Sequence, residues 1–265
     1  MTGQELTIAG TEYAKLKGTE PAQYSQPVYV LRLLTNMVKA SAPVLDRLTT
    51  TREHPGLPAA LPVGSSLSAL IAVAKEAEHA WPVFTALWAE LTDPAAARPP
   101  LLFALDGLSH VMQPSAYRSP AFEPIHAHDL ALVRLFSDAL SGAAALPHGG
   151  AVLAATTKGN TRKVASVDLA LARRLAEQEG RDAPAADPFC RTYDARVDAA
   201  LATVRVLRLR GVDHTEARAL MEYWAASGVM RSRVTGETVT DRWSVGGRGI
   251  VGEMERASLL TMRDL

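Results

Sequence analysis

Apolar and polar positions follow two rhythms along this chain, and the change between them predicts its elements. The pair Pro99-Pro100 precedes an unbroken apolar run, Leu101-Leu102-Phe103-Ala104-Leu105, which Asp106-Gly107 closes. A run of strand length without polar alternation predicts a parallel strand buried on both faces. Ala151 to Thr157, entered through Gly149-Gly150, predicts a second buried strand with polar residues at its carboxyl end. Between the two, Leu132, Leu135, Phe136, Ala139 and Leu140 recur at helical spacing up to Gly142 and form the clearest amphipathic helix of the chain. Strand, helix and strand in that order imply parallel pairing through a right-handed crossover.

The remaining pattern is weaker. Residues 1 to 26 are polar with scattered Gly and Pro and predict a loop leading to Pro27, a residue suited to the first turn of a helix. Leu33, Leu34, Met37 and Val38 share one face of that helix, which Pro43 should kink or break. From Thr49 to Gly64, Pro55, Pro58 and Pro62 predict a linker-like loop. Ser65 and Ser66 are candidate caps for a helix carrying Leu67, Leu70, Ile71 and Ala74, and Trp81-Pro82 opens another with Phe84, Leu87, Trp88 and Leu91 inward. Ser166 to Gln178 reads as a helix, Asp182 to Asp187 as a loop, and Val204 to Leu209 as a third, more edge-like strand. Asp213 and Glu216 form a capping-box-like pair before Ala217, Leu220, Met221 and Trp224, with Gly228 as the stop. Ile250 to Met262 predicts a last helix, and no internal repeat is apparent. The expected fold is α/β: a parallel sheet flanked by helices over residues 1–212, with a helical, lid-like segment over 213–265.

Composition narrows the classes. With 265 residues and 48% hydrophobic content, the chain can bury a large core as one domain or as a domain with an appendage. Lys plus Arg and Asp plus Glu both total 28, and a net charge of zero argues against a dedicated nucleic-acid arm or a polybasic membrane anchor. Cys190, the single cysteine, cannot form an internal disulfide or a Cys-x-x-Cys site, which fits a reducing compartment. No apolar run approaches the roughly 18 residues of a membrane span. The first residues lack the character of a secretory signal or transit peptide, so the expectation is a cytosolic protein or a true start further upstream.

Asp106 is the leading candidate for chemistry. Open α/β sheets bind ligands at the carboxyl edge of their strands, and in phosphate-loop proteins an acid there holds Mg²⁺ through water. Its partner would be the cradle Gly-x-x-x-x-Gly-Lys-[Ser/Thr], and no Gly-Lys pair occurs in these 265 residues. Asp-Gly after a strand also makes an ordinary turn. Thr156, Thr157 and Lys158 stand where a neighbouring strand would offer groups that sense a γ-phosphate, and by pattern alone such residues more often make a turn. His126 and His128 are two apart without a third ligand at useful spacing. Gly107-Leu108-Ser109-His110-Val111 follows a nucleophile elbow only until its fifth position, which leaves a serine hydrolase built on Ser109 poorly supported. Gly246-Gly247-Arg248-Gly249 suits a turn first and an anion-binding nest second. Arg162-Lys163 and Arg205, Arg208 and Arg210 read as solvated faces first and as RNA contacts second.

The blocks Thr11 to Ala14, Tyr24 to Pro27, Leu101 to His110, Pro124 to Val133, Gly149 to Thr157, Asp187-Pro188-Phe189 and Gly249 to Glu253 resemble, in order, the fungal death-associated protein family of the mitochondrial small ribosomal subunit. The resemblance covers nearly the whole chain. It implies an AAA-like class of phosphate-loop NTPase, guanine-nucleotide binding, and a structural place in the head of that subunit. On the same resemblance Asp106 takes the metal-holding acidic position of the second nucleotide motif, and Thr156 and Thr157 fall on the following sensor strand. The family's phosphate loop would precede Thr11, so the chain resembles the carboxyl-terminal part of the pattern, without the loop, the first core strand or the transit peptide. Loss of a central strand should leave unpaired edge groups and exposed apolar faces.

The resulting expectation is a structural component of the small ribosomal subunit in the mitochondrial matrix, a truncated P-loop NTPase-like protein without catalytic residues. Its partners would be mitochondrial ribosomal proteins and ribosomal RNA, with no membrane and no small-molecule substrate. No cofactor is expected for these residues, and GTP or GDP with Mg²⁺ only for a full-length form. The alternatives are an active GTPase or ATPase, given an upstream phosphate loop, and the serine hydrolase.

Overall fold

The computed structural model describes residues 1–10, 12–156 and 163–259, which divide into two compact units, Met1–Arg205 and Val206–Leu265. The first unit opens with α1 (Gly3–Thr7) and the two-residue antiparallel strands β1 (Ala14–Lys15) and β2 (Tyr24–Ser25). Helix α2 (Pro27–Leu45) has Pro27 in its first turn and leaves helical geometry at Ser41, two residues before Pro43, whose ring cannot donate to the helix ladder. Helix α3 (Leu67–Ala72) is capped by Ser66 Oγ, which accepts from Ala69 N at 3.1 Å. A 3₁₀ turn at Ala77–His79 leads into α4 (Ala80–Leu91), followed by β3 (Leu101–Asp106) and the single turn α5 (Leu108–Val111). An antiparallel hairpin, β4 (Pro114–Arg118) and β5 (Pro124–His126), precedes α6 (Ala131–Leu140), β6 (Gly150–Ala155), α7 (Ala165–Gln178) and α8 (Ala195–Leu201).

Strands β3 and β6 pair in parallel from Leu101↔Gly150 to Asp106↔Ala155, with α6 in the connection, as the strand–helix–strand pattern requires. Gly150, at φ 135°, is obligatory: a Cβ there would lie 2.0 Å from the Leu101 carbonyl oxygen. On the inner face Phe103 meets Trp88 of α4 and Phe136 of α6, with ring centroids 5.2 and 5.0 Å apart. The outer face differs from expectation. Leu102 is 65% exposed and Leu153 55%, and Ala104 and Ala151 are exposed beside them. The apolar run is therefore buried on one face only, because two strands with helices packed on the inner side offer nothing to cover the other.

Three segments correct the sequence reading. Residues 1 to 26 are not a plain loop: Leu6 of α1 is buried, and Thr2 bridges Asp106 at the edge of β3. Elements this short carry no readable period. The expected strand at Val204 to Leu209 is irregular, with Leu207 and Leu209 almost fully exposed. An extended segment becomes a strand only where a neighbour completes its ladder. The linker-like stretch from Thr49 to Gly64 is tied down, with Thr50 N donating to Ser65 O at 2.8 Å and Gly64 N to Thr50 O at 2.9 Å.

Its anchor is Glu90, a fully buried carboxylate on α4. Glu90 accepts from Thr51 N at 3.0 Å, Thr51 Oγ1 at 2.9 Å and Arg98 Nη2 at 2.7 Å, and its Oε1 lies 2.8 Å from His54 Nε2. Arg98, also buried, donates further to Glu90 O and Thr49 O, both at 2.8 Å. Burial by itself would raise the Glu90 carboxyl, but the hydrogen bonds from His54, Thr51 and Arg52 hold it below the ordinary glutamate value.

The second unit contains α9 (His214–Ala226), α10 (Gly236–Val245) and α11 (Val251–Ser258) around Ala217, Met221, Trp224, Met230, Val239 and Met254. The Asp213–Glu216 capping box forms as read: Thr215 N and Glu216 N donate to Asp213 Oδ1 at 2.8 Å, and Asp213 N donates to Glu216 Oε2 at 2.9 Å. Among the described residues no helix is long and apolar enough to cross a membrane.

Glu90→Gln strands the buried Arg98 guanidinium without a counter-charge and should cost about 3–5 kcal/mol, seen as a lower urea midpoint at an unchanged m-value. The folded carboxyl titrates below its unfolded value of about 4.3, so its stabilisation is complete above that pH and is lost as pH falls through the folded value. The Gln variant should lack that segment of the acid-unfolding curve.

Candidate functional site

Parallel register brings the candidate residues to one edge. Asp106 ends β3 opposite Ala155, so Thr156, the next residue after β6, stands beside it. Both side chains are exposed. Thr157, the third candidate, lies outside the described residues. Gly107, at φ 75°, then turns the chain into α5, and Ser109 on that turn is buried with its Oγ 2.7 Å from Thr156 Oγ1. This hydroxyl pair, which sequence reading did not anticipate, joins α5 to the end of β6. Gly3 packs against the same turn so closely that a Cβ on it would lie 2.3 Å from Gly107 O.

A carboxylate next to a hydroxyl at adjacent strand ends offers oxygen ligands of the kind a hydrated Mg²⁺ accepts. A nucleotide asks for more. Phosphate recognition needs several convergent N–H groups and a lysine, whereas the amide of Asp106 donates to Met1 O at 3.0 Å and that of His110 to Gly107 O at 3.0 Å. The described residues fit a cation-facing edge and do not fit a phosphate cradle. Nor does the geometry assemble a nucleophile. Ser109 Oγ faces the hydroxyl of Thr156, which cannot serve as a general base.

His126 and His128 are buried together, their rings edge to face at 4.9 Å. His126 Nδ1 accepts from His128 N at 3.1 Å, which places the proton of the neutral ring on Nε2, 3.3 Å from Asp194 Oδ2. His128 Nε2 lies 3.2 Å from Met112 Sδ. Burial lowers the pKa of both imidazoles, that of His128 to about 4, while the Arg196 hydrogen bonds hold Asp194 at about 2. His126, neutral and with its Nδ1 committed to the His128 amide, packs edge to face on His128 and lies against Asp194 at the start of α8, a structural arrangement. Sequence reading paired the two histidines but had no signal for Asp194, which arrives from another element. Glu76, Glu78 and His79 bring three ligand atoms within 4.8 Å on the surface, an arrangement common without any ion.

The glycine-rich stretch resolves as a turn. Gly247, Arg248 and Gly249 all have positive φ, Arg248 N donates to Trp243 O at 2.9 Å, and Ile250 N donates to Gly246 O at 3.0 Å. These amides close the end of α10 and are not directed at an anion. Of the basic residues noted in the sequence, Lys163, Arg205, Arg208 and Arg210 are exposed, and Arg162 lies outside the described residues.

Residues 2–257 match the model of a family described as mitochondrial ribosomal death-associated protein 3. The small ribosomal subunit protein mS29 of Neurospora crassa is 53% identical over 262 residues, covering 98% of this chain and 55% of that protein. The chain thus spans about half the length of the curated relative it matches.

With no base facing Ser109 among the described residues, a fluorophosphonate probe should leave the protein unlabelled at that residue. Intact-mass spectrometry checks this, and stoichiometric labelling abolished by Ser109→Ala would revive the hydrolase alternative.

Proposed function

The chain belongs to the mitochondrial ribosomal death-associated protein 3 family, and from that membership we propose that it is a structural component of the small ribosomal subunit in the mitochondrial matrix. The observation that carries this is identity of 53% along 98% of the chain to a protein named as a small-subunit component. In this reading the protein works by docking on ribosomal proteins and ribosomal RNA and performs no reaction. Its surface supports that role. Phe122, Phe189, Leu207 and Leu209 are each more than four-fifths exposed, an unusual set of large apolar side chains for docking on protein. Arg205, Arg208 and Arg210 alternate with the two leucines and can meet phosphates.

We read the α/β part as the remnant of an AAA-like phosphate-loop NTPase and the helical segment 213–265 as its lid-like companion. The parallel β3–β6 pair, with an acid at one strand tip and a threonine after the other, supports this. Asp106, Thr156 and Thr157 are then the part of a guanine-nucleotide site carried by these residues, with Asp106 on the Mg²⁺ side. Phosphate binding itself would depend on a loop outside them, so no cofactor is assigned to this chain alone.

Titration calorimetry of the 265-residue chain with Mg²⁺-GTP should show a Kd weaker than about 1 mM. Micromolar binding would mean that these residues build a nucleotide site by themselves. Tagged protein expressed from its own locus should sediment with the mitochondrial small subunit in a sucrose gradient. Raised salt should release only part of it, because salt weakens phosphate contacts far more than apolar docking. Recovery solely as free cytosolic protein at low salt would refute the proposed function.

A further inference from the structure

The hairpin of β4 and β5 closes through a turn whose backbone calls for one residue type and whose sequence supplies another. Phe122 N donates to Ser119 O at 2.8 Å across a turn centred on Pro120 and Ala121, and Ser119 N donates to Glu123 O at 2.8 Å. Ser119 Oγ accepts from Ala121 N and Glu123 N, both at 3.2 Å. A turn followed by one left-handed residue is a common way to close a hairpin, and the left-handed place normally falls to glycine because a Cβ there crowds the backbone. Here it is filled by Phe122, at φ 61°. The ring is 84% exposed, so it gains almost nothing from the core of its own unit. Below it the hairpin is fixed: Tyr117 and Ile125 are buried, Ser115 Oγ donates to Ile125 O at 2.7 Å, and Tyr13 OH donates to Arg118 O. A bulky side chain kept in an unfavourable backbone region, on a firm base and without internal gain, points to a use outside the chain.

We propose that Phe122 is a knob that seats in an apolar pocket of a neighbouring protein of the ribosomal subunit, with Glu123 meeting a cation at the rim of that pocket. The inference rests on the ribosomal role proposed above and adds the side chain that makes the contact and the chemistry of its receiver. Charge and shape select this occupant. Pro120, Ala121, Phe122 and Pro124 are exposed and apolar, and Glu123 is the only charged residue from Ser119 to Pro124. RNA phosphates and anionic lipid would repel that carboxylate, and the tip has no cation to offer either. A single ring projecting from a convex turn suits a concave protein pocket, where an aromatic anchor carries a large share of the binding energy.

One substitution separates docking from folding. Phe122→Gly gives the left-handed place the residue that suits it, so the melting temperature of the 265-residue chain should stay the same or rise. Expressed from its own locus, the same variant should dissociate from purified mitochondrial small subunits in raised salt about thirtyfold faster than the unaltered protein, the loss expected for an aromatic anchor. In a second arm, Phe122→p-benzoylphenylalanine should photocrosslink to a ribosomal protein within purified subunits. Crosslinking to ribosomal RNA, lipid, a second copy or nothing, in subunits that contain the protein, would overturn the proposal, and so would equal dissociation of Phe122→Gly and the unaltered protein. A lower melting temperature for Phe122→Gly would assign the ring to the chain's own fold and sink the inference as well. Absence of the unaltered protein from the subunit is a different result: it refutes the ribosomal role itself, and this inference with it.

Discussion

A carboxylate taken out of water must be matched by donors where it sits, and the first unit is organised around one such group. Glu90 receives hydrogen bonds from the Thr51 main chain and hydroxyl, lies against His54, and is paired with the buried Arg98. A proline-rich stretch that would otherwise wander is thereby held against α4. The same arginine fixes the chain just before it enters β3, while His148 Nε2, 2.7 Å from Asp93 O, holds the approach to β6 at the same corner. The two strands of the parallel pair thus start from a common polar anchor. Losing it would loosen both strands together.

From that start, register does the rest. Six residues of parallel pairing carry Asp106 and Thr156 to neighbouring positions, and the Ser109–Thr156 hydroxyl contact ties the following turn to the sheet. Among the described residues the result is an edge with oxygen ligands and without the converging amides that phosphate needs. Under the proposed function, the chain acts through what its surface holds. The exposed aromatic and leucine side chains, the arginines between them and the uncovered side of β3 all suit docking better than turnover.

The two units also show how differently local and distant forces leave marks in a sequence. In the second unit the start of α9 is a purely local event, a side chain bonding amides two and three residues away, and the Asp213–Glu216 spacing announces it. Ser66 ahead of α3 and Pro27 in α2 are legible for the same reason. The buried pairing of His126 with Asp194 spans distant parts of the chain, and no spacing rule could reveal it.

By itself the sequence determined the α/β class, the two parallel strands with the helix between them, the capped helix starts, the proline kink and the carboxylate at the strand tip. Each of these depends on residues close together in the chain, whose propensities and periods act without outside help. Tertiary structure alone decided that the apolar run is covered on one side, that Val204 to Leu209 remains irregular, that the Thr49 to Gly64 stretch is anchored, and that Met1 and Thr2 sit on the edge of β3. The reason is common to all four. Burial, a completed ladder and a matched charge are relations between a residue and a distant neighbour, and a one-dimensional pattern records the demand for that neighbour but not whether it is met.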